Sequence, residues 1–180
     1  MRCEDAFNEF WASATIMITQ GENRRIAYKT STAYARFVQH LYEFMLGAIK
    51  RDHWETGLSQ KMADILIASH AQRVVTNKRN NILNGTAPAW ENDISYYPEK
   101  IPKDFAKKFG QVRNKLSVHV THERPSLNLT DFYDKYHKYL WLLYQESKNG
   151  IFRSLGDEFP DLDEITAFSV LVKKKPPQQP

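Results

Sequence analysis

Arg113, Asn114 and His119 are the residues of this sequence whose types and spacing could do chemistry. Arginine keeps its charge and holds an anion with a planar fork of N–H donors, whereas histidine exchanges protons near neutral pH. An ideal helix would place Arg113 and His119 about 120° apart around its axis and about 9 Å apart along it. The pair could therefore line two sides of one small pocket for an anion.

The end of the helix that carries this pair is predicted from Pro125. Proline disfavours helical geometry at the residue before it, so we expect the helix to end between about 120 and 124. His119 would then lie in the last turn, where the negative end of the helix dipole favours a protonated imidazole. A histidine in that position is suited to general acid/base catalysis.

The motif resembles the RX4-6H signature of the HEPN superfamily of helical ribonucleases. The matching residues are Arg113-Asn114-Lys-Leu-Ser-Val-His119, and a further helical pattern follows at Thr130 to Ser147. The resemblance covers the motif and the general layout of residues 1–150. One toxin subgroup of the superfamily has a tyrosine two residues after the histidine, and Thr121 at that position disfavours this subgroup.

The resemblance implies an all-α, HEPN-like helical bundle that cleaves RNA without a metal or cofactor. His119 would be the acid/base, Arg113 would hold the phosphate, and Asn114 would fix the phosphate or orient His119. Two chains would form a homodimer with a composite cleft, and the product would carry a 2′,3′-cyclic phosphate. The setting would be toxin–antitoxin or phage defence, with an antitoxin or regulatory protein as a possible partner. The superfamily also contains inactive members.

Positive charge is concentrated around the motif. The whole chain carries a net charge of +4, whereas residues 100–124 hold seven basic and two acidic side chains, which gives +5. This favours a polyphosphate substrate such as RNA, with Lys108, Lys115 and His122 as further substrate-binding candidates. His122 is also a rival to His119, but it lies nine residues from Arg113. A solvated lysine-rich helix face is the alternative.

A carboxylate could also reach the pocket from an earlier helix. His40 and Glu43 lie beside the apolar stripe of the second predicted helix. Glu43 is the better candidate to face the Arg113/His119 pocket and orient one of the two side chains. The alternative is that both residues lie at the rim of the core and are solvated.

Composition and charge exclude several classes of protein. The chain has 180 residues, 42% of them hydrophobic, which predicts a single domain with a proper core. A single cysteine predicts a reducing compartment. The sequence shows no signal peptide and no apolar run of about 18 residues, so we expect a cytoplasmic protein with no membrane contact. No metal site is predicted, since His119, His122 and Glu123 lack further ligands at suitable spacing.

Hydrophobic periodicity predicts five helices at about 4–20, 30–52, 58–80, 102–124 and 130–147. The aromatic fifth helix must be covered by its own domain or by a second subunit, and its His137 is expected in the core or at its rim. In the long connection at 84–102, Trp90, Tyr96 and Tyr97 either stack on bases or anchor the loop to the core. A single domain is predicted for 1–172, ending in a strand or arm at 165–172, with a disordered tail at 173–180.

Two alternatives to a ribonuclease remain open. One is a noncatalytic HEPN-like module that binds RNA or a protein through Arg113 and His119. The other is a helical interaction protein in which Arg113 pairs with a carboxylate and the motif is a coincidence. RNA affinity without cleavage would indicate the first, and a His119 variant with altered stability alone would indicate the second.

Overall fold

The computed structural model describes residues 2–21, 23–54, 57–117, 128–149, 169–170 and 172–174, with residues 2 and 115–117 described by their backbone alone. The chain divides into two compact units, Met1–Ser147 and Lys148–Pro180. The first unit is all-α in its described residues and contains five α-helices there, which confirms the all-α part of the predicted fold class. They are α1 Arg2–Gln20, α2 Arg24–Asp52, α3 Gln60–Leu83, α4 Phe105–Ser117 and α5 Leu129–Ser147.

In the second unit, residues 169–170 and 172–174 are helical. The sequence predicted a strand or arm up to residue 172 and the start of a disordered tail at 173. Residues 169–170 and 172 are thus helical where a strand or arm was predicted. Residues 173–174 are helical where a disordered tail was predicted. The remaining residues of the predicted arm and tail lie outside the described part of the chain.

Helix α2 is the central element of the core. Its Phe37, Val38 and Leu41 have no exposed surface. Phe7 of α1 packs edge-on against Phe37, with 5.2 Å between ring centroids. Burial of several such side chains, each contributing on the order of 1.5–3 kcal/mol, holds α1 and α2 together.

The predicted start of α2 at residue 30 was wrong. Helix α2 begins at Arg24, because the side chain of Asn23 accepts a hydrogen bond from the Ile26 N–H at 2.9 Å and so caps the helix. The residues between Asn23 and the predicted caps, Ser31 and Thr32, therefore form the first turns of α2 instead of a loop.

The connection at 84–102 is irregular apart from two 3₁₀ turns, Ala89–Glu91 and Ile94–Tyr96. Side chains of α3 hold it in place. The Gln72 amide donates to the Glu99 carbonyl at 2.8 Å and accepts from the Ile101 N–H at 3.0 Å. Lys78 pairs with Glu91 at 2.5 Å. The loop is thus fastened to α3 in its middle and at its C-terminal end.

The aromatic residues of this loop behave differently from one another. Tyr97 is buried, as expected for an anchor, whereas Trp90 is 85% exposed and Tyr96 is 46% exposed. Anchoring to the core, one of the two roles considered for these aromatics, is therefore wrong for Trp90. The backbone of this loop, held by α3, leaves the indole in solvent.

Helix α5 is covered largely by helices of its own unit. Phe105 of α4 lies 5.9 Å from Tyr136 and 5.5 Å from Tyr139, and Phe7 stacks on Tyr144 at 4.4 Å between ring centroids. These buried aromatic residues of α5 are therefore covered within the unit, whereas Tyr133 of the same helix is 42% exposed. None of the helices in the described ranges is long and apolar enough to cross a membrane.

Candidate active site around Arg113

Helix α4 brings Arg113 to the edge of the core. Phe109, one turn earlier, is fully buried and packs edge-on against Tyr42 of α2, with 5.1 Å between ring centroids. Residues four apart on a helix lie on the same face. Arg113 therefore leaves the buried face of α4 next to Tyr42, and its side chain is 32% exposed.

The guanidinium of Arg113 is held on several sides. Its Nε donates to Oε1 of Glu43 on α2, and its Nη2 forms an ion pair with the same oxygen. Its Nη1 donates to Oδ1 of Asn114 at 2.9 Å. The guanidinium carbon lies 5.9 Å from the centroid of the Tyr42 ring, within the range of a cation–π interaction. These contacts fix the plane of the guanidinium.

The ion pair between Arg113 and Glu43 contributes more to orientation than to stability. The side chain of Glu43 is 42% exposed, so solvent screens the pair. Ion pairs with this degree of exposure contribute at most about 1 kcal/mol to the free energy of unfolding. A guanidinium that donates through Nε to a carboxylate and through Nη1 to an amide oxygen is nevertheless limited in its rotation.

Tyr42 connects this cluster to α3. Its hydroxyl accepts a hydrogen bond from Nε2 of Gln60 at 2.7 Å, and the same Gln60 nitrogen donates to Oδ1 of Asp64 at 2.8 Å. Burial raises the pKa of Tyr42, and the nearby carboxylate of Asp64 raises it as well, although the Gln60 hydrogen bond opposes them. Tyr42 is therefore a neutral phenol at pH 7, and a fixed surface for the guanidinium.

Gly110 allows α4 to approach this network. A Cβ atom at Gly110 would lie 3.1 Å from Nε2 of Gln60, 3.3 Å from the Tyr42 hydroxyl and 3.5 Å from Oδ1 of Asp64. These distances leave little or no room for a methyl group. The absence of a side chain at Gly110 therefore brings α4 close to the start of α3, one turn before Arg113.

The structure brings together three of the predicted site residues: Arg113, Asn114 and Glu43. His119 and His122 lie outside the described residues, and so does the side chain of Lys115. The geometry between Arg113 and the predicted acid/base is therefore not part of the described site. The alternative in which Arg113 pairs with a carboxylate has its counterpart in the contact with Glu43.

Lys108 lies away from the guanidinium cluster. Five residues separate it from Arg113, which corresponds to about 140° around an ideal helix. Lys108 instead lines a cavity of about 190 Å³ next to Asp104 and Tyr136. There the Tyr136 hydroxyl donates to Asp104 at 2.7 Å, and this hydrogen bond lowers the pKa of Asp104. The predicted role of Lys108 in substrate binding stays a prediction.

Sequence reasoning missed Tyr42, Gln60, Asp64 and Gly110. One signal was available, because a glycine inside a predicted helix often marks a close approach of another element. The neighbours of Gly110 come from α2 and from the first turns of α3, and no local pattern shows which parts of other helices will lie against α4. No three metal-binding side chains of the described ranges come together as a site for a metal ion.

No protein-family model, no curated protein and no solved structure matches this chain. The resemblance to HEPN proteins therefore rests on the motif residues and the all-α architecture.

Proposed function

We propose that this chain is a metal-independent endoribonuclease of the HEPN type. The observation that carries the proposal is the oriented Arg113, whose guanidinium is fixed by Glu43 and Asn114 near the end of α4. His119 follows Arg113 by six residues in the sequence. A cation of fixed geometry beside a candidate acid/base is the minimum that metal-free phosphodiester cleavage needs.

The charge around this site supports an RNA substrate. Lys100, Lys103 and Lys107 are exposed in the segment that leads to Arg113. Exposed cations that neutralise phosphates release counterions, which contributes sequence-independent affinity for nucleic acid. The lysines would hold the strand, and Arg113 would hold the phosphate at which cleavage takes place.

The proposed reaction is a transesterification. One His119 imidazole takes the proton from a ribose 2′-hydroxyl, and the 2′-oxygen attacks the adjacent phosphorus. The bond from phosphorus to the 5′-oxygen breaks, and a protonated imidazole gives its proton to this leaving oxygen. The products are a 2′,3′-cyclic phosphate and a 5′-hydroxyl. A homodimer would supply two Arg113/His119 pairs to one composite cleft, so that base and acid are separate groups.

The biological setting we propose is a toxin-like or phage-defence system, in which an antitoxin or another regulatory protein restrains the enzyme. Cleavage without restraint would damage the host cell's RNA. The RNA target and the trigger would be set by surfaces outside the Arg113 cluster.

A noncatalytic RNA- or protein-binding module is the second candidate, and one observation favours it. Glu43 accepts a hydrogen bond from Nε of Arg113 and forms an ion pair with its Nη2, so a bound phosphate must compete with a carboxylate that is already in place. An arginine held in this way can serve binding or packing without taking part in cleavage.

The test is cleavage of a mixed RNA pool in EDTA by the wild type, by His119→Ala and by His53→Ala. His53 is exposed at the end of α2, so its variant is a matched control for the loss of an imidazole. We expect His119→Ala to lose cleavage by at least about a hundredfold while His53→Ala keeps it. Circular dichroism and sedimentation confirm that each variant is folded and has the same mass.

Equal cleavage by both variants would contradict the proposal. RNA affinity without cleavage by a folded wild type, measured by fluorescence anisotropy, would move the assignment to the noncatalytic module. Neither affinity nor cleavage, together with a stability loss in His119→Ala, would assign the motif a structural role.

A further inference from the structure

The start of α3 lies against α4 between Lys107 and Arg113. The contact is at Gly110, where an added Cβ atom would lie 3.1 Å from Nε2 of Gln60. Lys107 precedes Gly110 by three residues and Arg113 follows it by three, so they lie on opposite sides of the contact, each about 60° around α4 from it. Lys107 is exposed, and Lys61, directly after Gln60, adds a second exposed lysine from α3. Two helices thus bring three cations to this contact.

The two lysines have no carboxylate partner in the part of the chain that the structure describes. Neither Lys61 nor Lys107 forms an ion pair there. By contrast, the exposed Arg36 pairs with Glu9 at 3.1 Å. The charges of Lys61 and Lys107 therefore face solvent and can bind an anion.

The carboxylates near the contact bind other groups of the protein. Oδ1 of Asp64 accepts a hydrogen bond from Nε2 of Gln60 at 2.8 Å, and Glu43 pairs with Arg113. The first turn of α3 holds no acidic side chain, so the positive end of its helix dipole is not offset there. The helix dipole thus adds to the potential of the two lysines.

We call Lys61, Lys107 and Arg113 the α3/α4 basic surface. Six residues separate Lys107 from Arg113, which corresponds to about 9 Å along α4. Long side chains at this spacing can reach neighbouring phosphates of one strand. Contacts between lysines and phosphates position a nucleic acid and give it affinity that does not depend on sequence. The surface therefore suits a polyphosphate chain that passes over the start of α3.

We propose that the α3/α4 basic surface binds a single strand of RNA, with Lys61 and Lys107 on the phosphates next to the one that Arg113 holds. This rests on the proposed ribonuclease function, which assigns the scissile phosphate to Arg113. Attack by a 2′-hydroxyl requires the 2′-oxygen, the phosphorus and the 5′-oxygen in line, and the regular backbone of a duplex does not align them. The substrate class is therefore single-stranded RNA.

The test measures binding of a fluorescein-labelled 2′-O-methyl oligouridine to the full chain by fluorescence anisotropy. This probe has no free 2′-hydroxyl, so the proposed reaction cannot cut it. We expect Lys61→Gln and Lys107→Gln each to weaken binding about fivefold at 0.1 M salt, and to reduce the slope of log K against log salt concentration by about 0.7. The loss should be the same for the matching oligoadenosine, because phosphates carry no base information.

Lys29→Gln is the matched control, because it removes an exposed lysine of α2 and lowers the net charge equally. Lys29 precedes Glu43 by fourteen residues, which corresponds to about 21 Å along α2. This variant should keep the affinity and the salt slope of the wild type. Lys107→Arg keeps the charge and should keep the affinity as well. Circular dichroism establishes that each variant is folded.

The proposal is overturned if the wild type does not bind the probe, if the two lysine variants bind no more weakly than Lys29→Gln, or if the matching duplex binds better than the single strand. It is also overturned if polyglutamate competes as well as RNA at equal charge concentration, because an acidic protein segment would then be the better partner.

Failure of this proposal can be told apart from failure of the proposed function. A wild type that binds the probe through Lys61 and Lys107 but cuts no RNA would contradict the ribonuclease alone. A wild type that cuts RNA while both lysine variants keep full affinity would contradict the role of the α3/α4 basic surface alone.

Discussion

Replacing Gly110 by alanine tests the close contact between α4 and α3, one turn before Arg113. In an open helix interior this change stabilises a protein by about 0.5–1 kcal/mol. At Gly110 the new methyl group would lie 3.1 Å from Nε2 of Gln60 and 3.3 Å from the hydroxyl of Tyr42. Gln60 is held by two hydrogen bonds, so it cannot withdraw without weakening one of them.

The expected cost follows from these contacts. Overpacking of this kind costs about 1–3 kcal/mol, which exceeds the gain in helix propensity. We expect Gly110→Ala to lower the free energy of unfolding by about 1 kcal/mol. The matched control is Gly47→Ala in α2, which is exposed and has nothing within 4 Å of the added Cβ. It should raise the free energy by about 0.5–1 kcal/mol.

Urea denaturation of the two variants measures the difference. Thermal unfolding gives a second measure, because at this chain length a change of 1 kcal/mol in the free energy of unfolding corresponds to a shift of about 2–4 °C in Tm. In a Gln60→Ala background, Gly110→Ala should cost less than it does in the wild type, because the atom nearest to the methyl group is gone. Equal stabilisation by the two glycine replacements would refute the argument that α4 and α3 are in tight contact at Gly110.

Three further predictions concern single side chains. Burial lowers the pKa of His137 to about 4, below its value in the unfolded chain. The unfolded chain therefore takes up a proton at His137 before the folded protein does. As the pH falls from about 6.5 toward 4, the free energy of unfolding should decrease by up to about 3 kcal/mol. His137→Phe should reduce this slope in urea denaturation at pH 7 and pH 4.5, and an unchanged slope would contradict the assignment. Asn23→Ala should cost about 1 kcal/mol through the lost cap of α2, measured by thermal unfolding; no loss would mean that the cap contributes nothing. Glu43→Gln should tighten RNA binding but lower kcat by about tenfold or more, because Arg113 is freed and loses its orientation. Glu9→Gln removes the charge of an exposed ion pair with Arg36 and should change neither RNA affinity nor kcat. Equal RNA affinity and equal kcat for the Glu43 and Glu9 variants would rule out a positioning role for Glu43.

The all-α fold could be predicted from the sequence because helices such as α2 and α5 carry a strong apolar stripe. Phe37 and Leu41 of α2, and Leu140 and Leu143 of α5, recur at helical spacing and have no exposed surface. Helix ends were less predictable, since they depend on one capping contact. Helix α2 starts six residues earlier than predicted, because the side chain of Asn23 accepts a hydrogen bond from the Ile26 N–H and caps the helix there.

The candidate site could be predicted only in part. Local spacing singled out Arg113 and Asn114, and the position of Glu43 beside an apolar stripe made it a candidate to face them. The roles of the adjacent α2 residues Tyr42 and Glu43 depend on how α2 packs against α4. Glu43 pairs with the guanidinium of Arg113, and the Tyr42 ring lies next to it. Periodicity describes one helix at a time, whereas this cluster is formed by three helices.

The aromatic residues show the same limit. The composition of α5 predicted that it must be covered, but not by what. Phe7 and Phe105, which lie far from α5 in the sequence, cover Tyr144 and Tyr139. The dimer that we propose is therefore argued from the need for two Arg113/His119 pairs in one cleft and not from an uncovered apolar helix.

The most direct test of the proposed activity is the chemistry of the RNA ends. Attack by the 2′-hydroxyl leaves a 2′,3′-cyclic phosphate on one fragment and a 5′-hydroxyl on the other, without a metal ion. We predict these ends for fragments made by the wild type in EDTA, identified by mass spectrometry, and their loss in Arg113→Lys, whose ammonium cannot hold a phosphate with a planar fork. Fragments with a 5′-phosphate, or cleavage that requires a divalent metal, would contradict the account.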